Sequence, residues 1–160
     1  MSVDHFALSR VRVQLRRILA TSMSQAVRDQ VENFVTKVTD ENSTVPSVVP
    51  SEDGGAILHW VAGNASIEVE VGATGARYLW ATRVDGGQET LADDPSAIQA
   101  ATRRLVADMA AHVNAVNPRW RDVFLSAPTC DHQRIQFRGI SVLDALGLPE
   151  PPVPPHTVTT

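Results

Sequence analysis

Cysteine is nearly absent from this chain. Cys130 stands alone, which excludes an internal disulfide and fits a reducing compartment. No run of about 18 apolar residues occurs, so no transmembrane helix is expected. The opening MSVDHFALSRVRVQLRR lacks the apolar block and cleavage site of a secretory signal, and a cytoplasmic protein is expected. Neither GxGxxG nor GxxxxGK[ST] is present, which removes the usual phosphate-cradling loops. The histidines and Cys130 show no CxxC, HExxH or HxxxH spacing, and Cys130 with His132 supplies at most two ligands where zinc normally needs three or four. No cofactor and no metal are therefore expected. Lysine is also scarce: Lys37 stands against thirteen arginines, a bias that points to a GC-rich bacterial genome.

What is present is ordinary in bulk and uneven in detail. The 160 residues are 43% apolar and 20% charged, as in a soluble globular protein large enough to bury a core. The net charge of −4 argues mildly against bulk affinity for nucleic acid or anionic membrane. Residues 1–20 hold Arg10, Arg12, Arg16 and Arg17 against Asp4, whereas residues 51–95 hold eight acids against Arg77 and Arg83.

One stretch dictates a geometry. From Ala56 to Val84 the chain reads AILHWVA-GN-ASIEVEV-GATG-ARYLWATRV. Gly63-Asn64 suits a type II′ hairpin, since glycine accepts the positive φ of the first central position. That turn pairs Trp60 with Ile67, Leu58 with Val69 and Ala56 with Val71. A second hairpin at Gly72–Gly75 then pairs Val71 with Ala76, Val69 with Tyr78 and Ile67 with Trp80. With a period of two, these side chains share one apolar face. Trp60, Ile67, Val69, Tyr78 and Trp80 are expected in the core. The opposite face is expected to carry Val61–Ser66–Ala81, His59–Glu68–Leu79 and Ile57–Glu70–Arg77.

Helical spacing runs through Leu8, Val11, Leu15, Ile18, Leu19, Met23, Val27, Val31, Phe34 and Val38. As one rod this region would span roughly 50 Å; Thr21–Ser24 offers capping side chains for a break, so one helix or two both fit. Asp94-Pro95 opens a further helix with the stripe Ile98, Ala101, Leu105, Met109, Val113 and Val116, ended by Asn117-Pro118. The expected architecture is α+β: an antiparallel meander of three or four strands, with the N-terminal and post-sheet helices packed on one face. It divides into a domain over 1–148 (helical 1–39, linker 40–55, sheet 56–91, helix 94–117, mixed 118–148) and a Pro-rich disordered tail at 149–160. Within 118–148, Ile135–Ile140 reads as a strand.

Chemistry is thin. Cys130 beside His132 could form an activated thiolate, which makes a Cys-dependent enzyme the weakest reading, since catalytic partners usually meet through the fold rather than by adjacency. Glu68 and Glu70 near His59 and Arg77 resemble an acid/base cluster but read more simply as a solvated sheet face. Arg10, Arg12, Arg16 and Arg17 offer phosphate contacts, and a nucleic-acid-associated protein is the alternative function.

The segment PSVVPSEDGGAILHWVAGNASIEVEV, Pro46–Val71, resembles a group of small bacterial proteins of uncharacterised function. They share a proline-containing lead-in, an Asp-Gly-Gly, a strand with apolar-x-Trp, and a strand patterned apolar-Glu-apolar-Glu-apolar. The matching positions are Pro46, Pro50, Asp53, Gly54, Gly55, Leu58, Trp60, Ile67, Glu68, Val69, Glu70 and Val71. The resemblance implies a partner of a neighbouring gene product. The leading expectation is a non-enzymatic interaction protein, such as the accessory or antitoxin-like member of a two-gene system. Its partner would be another protein, with a homo-oligomer through the N-terminal helix as an option and no membrane. Because the outer sheet face is too apolar to be bare, Ile57, Val61 and Leu79 are expected to border the partner-binding surface, unless the chain's own termini cover it.

Overall fold

The computed structural model describes residues 5–122. Two helices, α1 (Phe6–Arg17) and α2 (Gln25–Val38), precede five strands, β1 (Ser47–Pro50), β2 (Ala56–Ala62), β3 (Ala65–Gly72), β4 (Gly75–Thr82) and β5 (Gln88–Ala92). Helix α3 (Pro95–Val116) follows. The strands form one antiparallel sheet in the order β1-β2-β3-β4-β5, and residues from all three helices join the inner face of that sheet in a common core. Among the described residues no helix is long and apolar enough to cross a membrane.

The N-terminal stripe divides into two helices. Ser24 caps α2, its Oγ accepting from Val27 N–H at 3.3 Å. Arg28 then reaches back and donates to the carbonyls of Leu15, Ile18 (2.8 Å) and Leu19 (3.3 Å). The last carbonyls of a helix lack the usual i+4 donor, and here one guanidinium adds to the backbone bonds that Ile18 and Ser22 N–H make to the Leu15 and Leu19 carbonyls. His5 caps the other end of α1: its Nδ1 accepts from Leu8 N–H at 3.3 Å, while Nε2 lies 3.2 Å from Thr39 Oγ1 at the end of α2. Leu8, Val11, Leu15, Met23, Val27, Val31, Phe34 and Val38 are buried, and Leu19 is exposed.

Helix α3 has the expected bounds and the expected buried stripe, except that Val116 is 48% exposed. Asp94 caps it by accepting from Ala97 N–H at 3.1 Å. Just past it, Trp120 packs edge-on against Phe6, with ring centroids 5.9 Å apart.

Strand β1 lies within the segment expected to be a linker. Its sequence, Pro46-Ser-Val48-Val-Pro50, places both prolines and Val48 on one parity. The bond from Ser51 N–H to the Gly55 carbonyl (2.9 Å) shows that the other parity, Ser47 and Val49, faces β2, so Pro46, Val48 and Pro50 face outward. Gln14 of α1, a buried side chain, completes that edge. Its Nε2 donates to the Pro46 carbonyl and its Oε1 accepts from Val48 N–H, both at 2.8 Å. Prolines belong at such an edge because they carry no N–H to leave unpaired.

The β2–β3 register is the expected one, residue for residue, from Ala56↔Val71 to Ala62↔Ala65. Gly63 takes a positive φ of 60° and Asn64 does not, as the type II′ turn requires. The β3–β4 register is corrected. Val71 pairs with Ala76 as expected, but Glu70 then pairs with Tyr78, Val69 with Leu79, Glu68 with Trp80 and Ile67 with Ala81. Arg77 is the extra residue of a β-bulge. Its guanidinium lies over Gly72, where a Cβ would come within 2.3 Å of Arg77 Nε, and sits 3.8 Å from Glu70. One inserted residue exchanges the faces of every side chain beyond it. Leu79 and Ala81 are therefore core residues, 1% and 0% exposed, and Trp80 is 46% exposed. Tyr78 is half-buried on the outer face with it. Trp60, Ile67, Val69, Ile98, Leu105 and Met109 are buried as expected.

Two measurements check this packing. Trp60→Ala should cost about 3–5 kcal/mol, and Trp80→Ala less than about 1 kcal/mol, read as shifts of the urea midpoint; equal losses would contradict the bulge. Gln14→Ala leaves the Val48 N–H and the Pro46 carbonyl without their partner. It should cost roughly 2–4 kcal/mol, against almost nothing for the exposed Arg16→Ala.

Candidate functional site

The face opposite the helices is built by alternation along five strands. One row is Val49–Ile57–Glu70–Tyr78–Ala92, a second Ser47–His59–Glu68–Trp80–Thr90, and a third Val61–Ser66–Thr82–Gln88. Of these side chains only Glu70 is buried; the others are half-buried or exposed. Trp80 is the one aromatic among the large exposed apolar residues of the described chain.

A polar group runs diagonally through this face. The Tyr78 hydroxyl donates to Glu68 Oε1 at 2.6 Å, a bond the bulge creates by moving Tyr78 out of the core. Burial raises the Tyr78 pKa above the usual phenol range, and the hydrogen bond and charge of Glu68 push it further the same way. Glu70 is 9% exposed and faces Arg77. The result is a carboxylate beside a phenol and an exposed indole, flanked by the half-buried Ile57 and Val61.

The expected partner-binding residues thus separate. Ile57 and Val61 lie on the outer face, whereas Leu79 is in the core and is withdrawn from the surface. Tyr78 and Trp80, expected inside, stand in its place. The only sequence signal for this exchange was the polar company of Arg77, with Gly72 and Glu70 close enough to hold a bulge.

The four N-terminal arginines do not form one patch. At about 100° per residue, Arg10 and Arg17 share one side of α1, and Arg12 and Arg16 the other. Arg12 pairs with Glu32 at 3.4 Å, and with Arg16, Gln25 and Arg28 it lines a groove of about 210 Å³ between α1 and α2. Partial burial and the nearby Arg17 lower the Arg10 pKa. Arg28 serves the end of α1 as described. Glu68, Glu70, His59 and Arg77 line neither the groove between α1 and α2 nor the two beside α3.

Beside α3, a groove of about 330 Å³ is lined by Ala65, Val84, Asp85, Leu105, Asp108 and Met109. It adjoins one of about 420 Å³ at Gly63, Asn64, His112 and Val116. No group of three or more histidine, cysteine or acidic residues placed to hold a metal occurs among the described residues. Cys130, His132 and Ile135–Ile140 lie outside the described residues, as does the tail at 149–160.

Tyr78 is the chain's only tyrosine, so tyrosinate absorbance reports it alone. A pKa raised by folding favours the protonated native form. The associated stability is complete below the unfolded value of about 10 and is lost as pH rises through the folded value. The native absorbance should titrate above the unfolded midpoint, and wild-type stability should fall more steeply above about pH 10 than that of Tyr78→Phe. Coincident native and unfolded titrations would contradict the half-buried hydrogen bond to Glu68. No family model, no curated protein and no solved structure matches this chain.

Proposed function

We propose that this chain is a non-enzymatic bacterial interaction protein and that the outer sheet face around Trp80 is where it holds a partner protein. The observation that carries this reading is Trp80 itself, 46% exposed in the middle strands of a sheet whose opposite face holds the core. An exposed indole on a partly apolar sheet face is the kind of anchor that protein interfaces use, since Trp combines a large contact area with little entropy to lose. Ile57 and Val61 extend the apolar surface.

Charge gives the partner a chemistry. The carboxylates of this face are Glu68 and Glu70, and Arg77 already faces Glu70. Glu68 has Tyr78 as its hydrogen-bond donor and a place beside Trp80 in the row. A lysine or arginine would find there a carboxylate and an aromatic face together. The partner is a protein that sets apolar side chains on Trp80, Ile57 and Val61 and a basic one on Glu68. The resemblance of Pro46–Val71 to small bacterial proteins supports the accessory or antitoxin-like role in a two-gene system, and a cytoplasmic location.

The test uses two exposed apolar positions. Tagged wild type, Trp80→Asp and Leu19→Asp, each expressed at native level in the source organism, should all unfold cooperatively with similar midpoints, because both side chains are exposed. A stoichiometric protein partner should accompany wild type and Leu19→Asp and be lost from Trp80→Asp. A chain recovered without a partner, or one whose partner ignores Trp80→Asp, would overturn the proposal.

A further inference from the structure

The two edges of the sheet are treated oppositely. On β1 the outward positions are Pro46, Val48 and Pro50, so only Val48 has an N–H to offer, and Gln14 takes it at 2.8 Å. On β5 the outward positions follow from the bonds that flank it. Arg83 N–H donates to the Gly87 carbonyl at 2.7 Å, and Asp93 N–H donates to the Arg77 carbonyl at 2.9 Å. Residues 87, 89, 91 and 93 therefore face β4, while the N–H and C=O groups of Gln88, Thr90 and Ala92 point away from the sheet. All three residues are exposed. No described strand pairs with that edge. Of the features that blunt edge strands it has no proline, lysine or bulge, only the inward-pointing charge of Glu89, which Arg104 and Arg83 meet.

We infer that β5 is an interaction edge and that its partner is the β5 of a second copy of this chain, paired antiparallel about a two-fold axis through Thr90. The sequence of the strand is self-complementary in that register. Thr90 meets Thr90 of the second copy and Gln88 meets its Ala92, each a pair whose backbone groups face one another, for up to about six hydrogen bonds. On the outer face no charge opposes another, and a Thr–Thr pair is a favourable cross-strand neighbour. On the inner face Glu89 lies opposite Leu91 rather than a second Glu89. Its charge is already met by Arg104 at 2.6 Å and Arg83 at 3.9 Å. The pairing joins two five-stranded sheets into one continuous sheet.

Five residues per strand bury far less than the roughly 1,600 Å² of a standard interface, so dissociation is expected at about 10 µM to 1 mM. Sedimentation equilibrium of the full chain across that range should show a mass rising from monomer toward dimer. Thr90→Pro removes an outward N–H and no bond to β4. Thr90→Lys and Thr90→Glu each set like charges face to face while leaving the exposed side chain in water. All three variants should stay monomeric with an unchanged unfolding midpoint, and an equimolar mixture of the Lys and Glu variants should recover the dimer. A wild type that is monomeric throughout, a dimer that survives these substitutions, or a Lys–Glu mixture that does not pair would each overturn the inference. The readout involves no other protein, so its failure would leave the outer-face reading untouched.

Discussion

Side chains along a strand alternate between two faces, and at Arg77 the bulge reverses that alternation for the rest of β4. What can pack under α3 and what can meet solvent both follow from it. Ala81 and Leu79 give the helix a small residue and an aliphatic one to approach. An unbulged register would place Trp80 and Tyr78 there and hold the helix away. The same slip carries the indole and the phenol to the outer face, where Tyr78 finds Glu68. Gly72 leaves room for the Arg77 guanidinium to lie over it; a side chain there would push that guanidinium aside.

The helical layer is joined to itself and to the sheet by polar side chains that act on backbone. Arg28 satisfies the open end of α1 from α2, and Gln14 satisfies the open edge of β1 from α1. Each meets main-chain groups at the junction of two elements. Gln14 takes the outward groups of Pro46 and Val48, and Arg28 takes the Ile18 carbonyl together with those of Leu15 and Leu19, which also accept from Ile18 and Ser22 N–H. The interhelical turn and the edge strand thus each combine one polar clamp with one buried apolar anchor, Met23 in the turn and Val48 in the strand.

This explains how far the sequence could be read. The β2–β3 hairpin was legible because a glycine turn and two runs of alternating residues agree on a single register. The span of α3 was legible because its caps are local, whereas the capping side chains at Thr21–Ser24 left one helix or two equally open. Strand β1 was hidden by its prolines, which signal a linker until one sees that Pro46 and Pro50 share the parity facing away from β2. Trp80, Tyr78 and Leu79 were placed on the wrong faces because β4 carries one extra residue at Arg77, and alternation alone assumes an unbroken ladder. On the outer face the places of Ile57 and Val61 could be read, and those of the aromatic pair could not. The clamps of Gln14 and Arg28 join residues far apart in sequence and leave no periodic trace.

The closed edge at β1 also sets the valence of the molecule. A sheet with adhesive strands on both sides can add copies without end, and such growth produces filaments rather than defined assemblies. Two prolines and one glutamine reduce this sheet to a single adhesive side. A second copy joined at β5 therefore ends the sheet at its own closed β1, and among the described residues edge-to-edge growth stops at two copies.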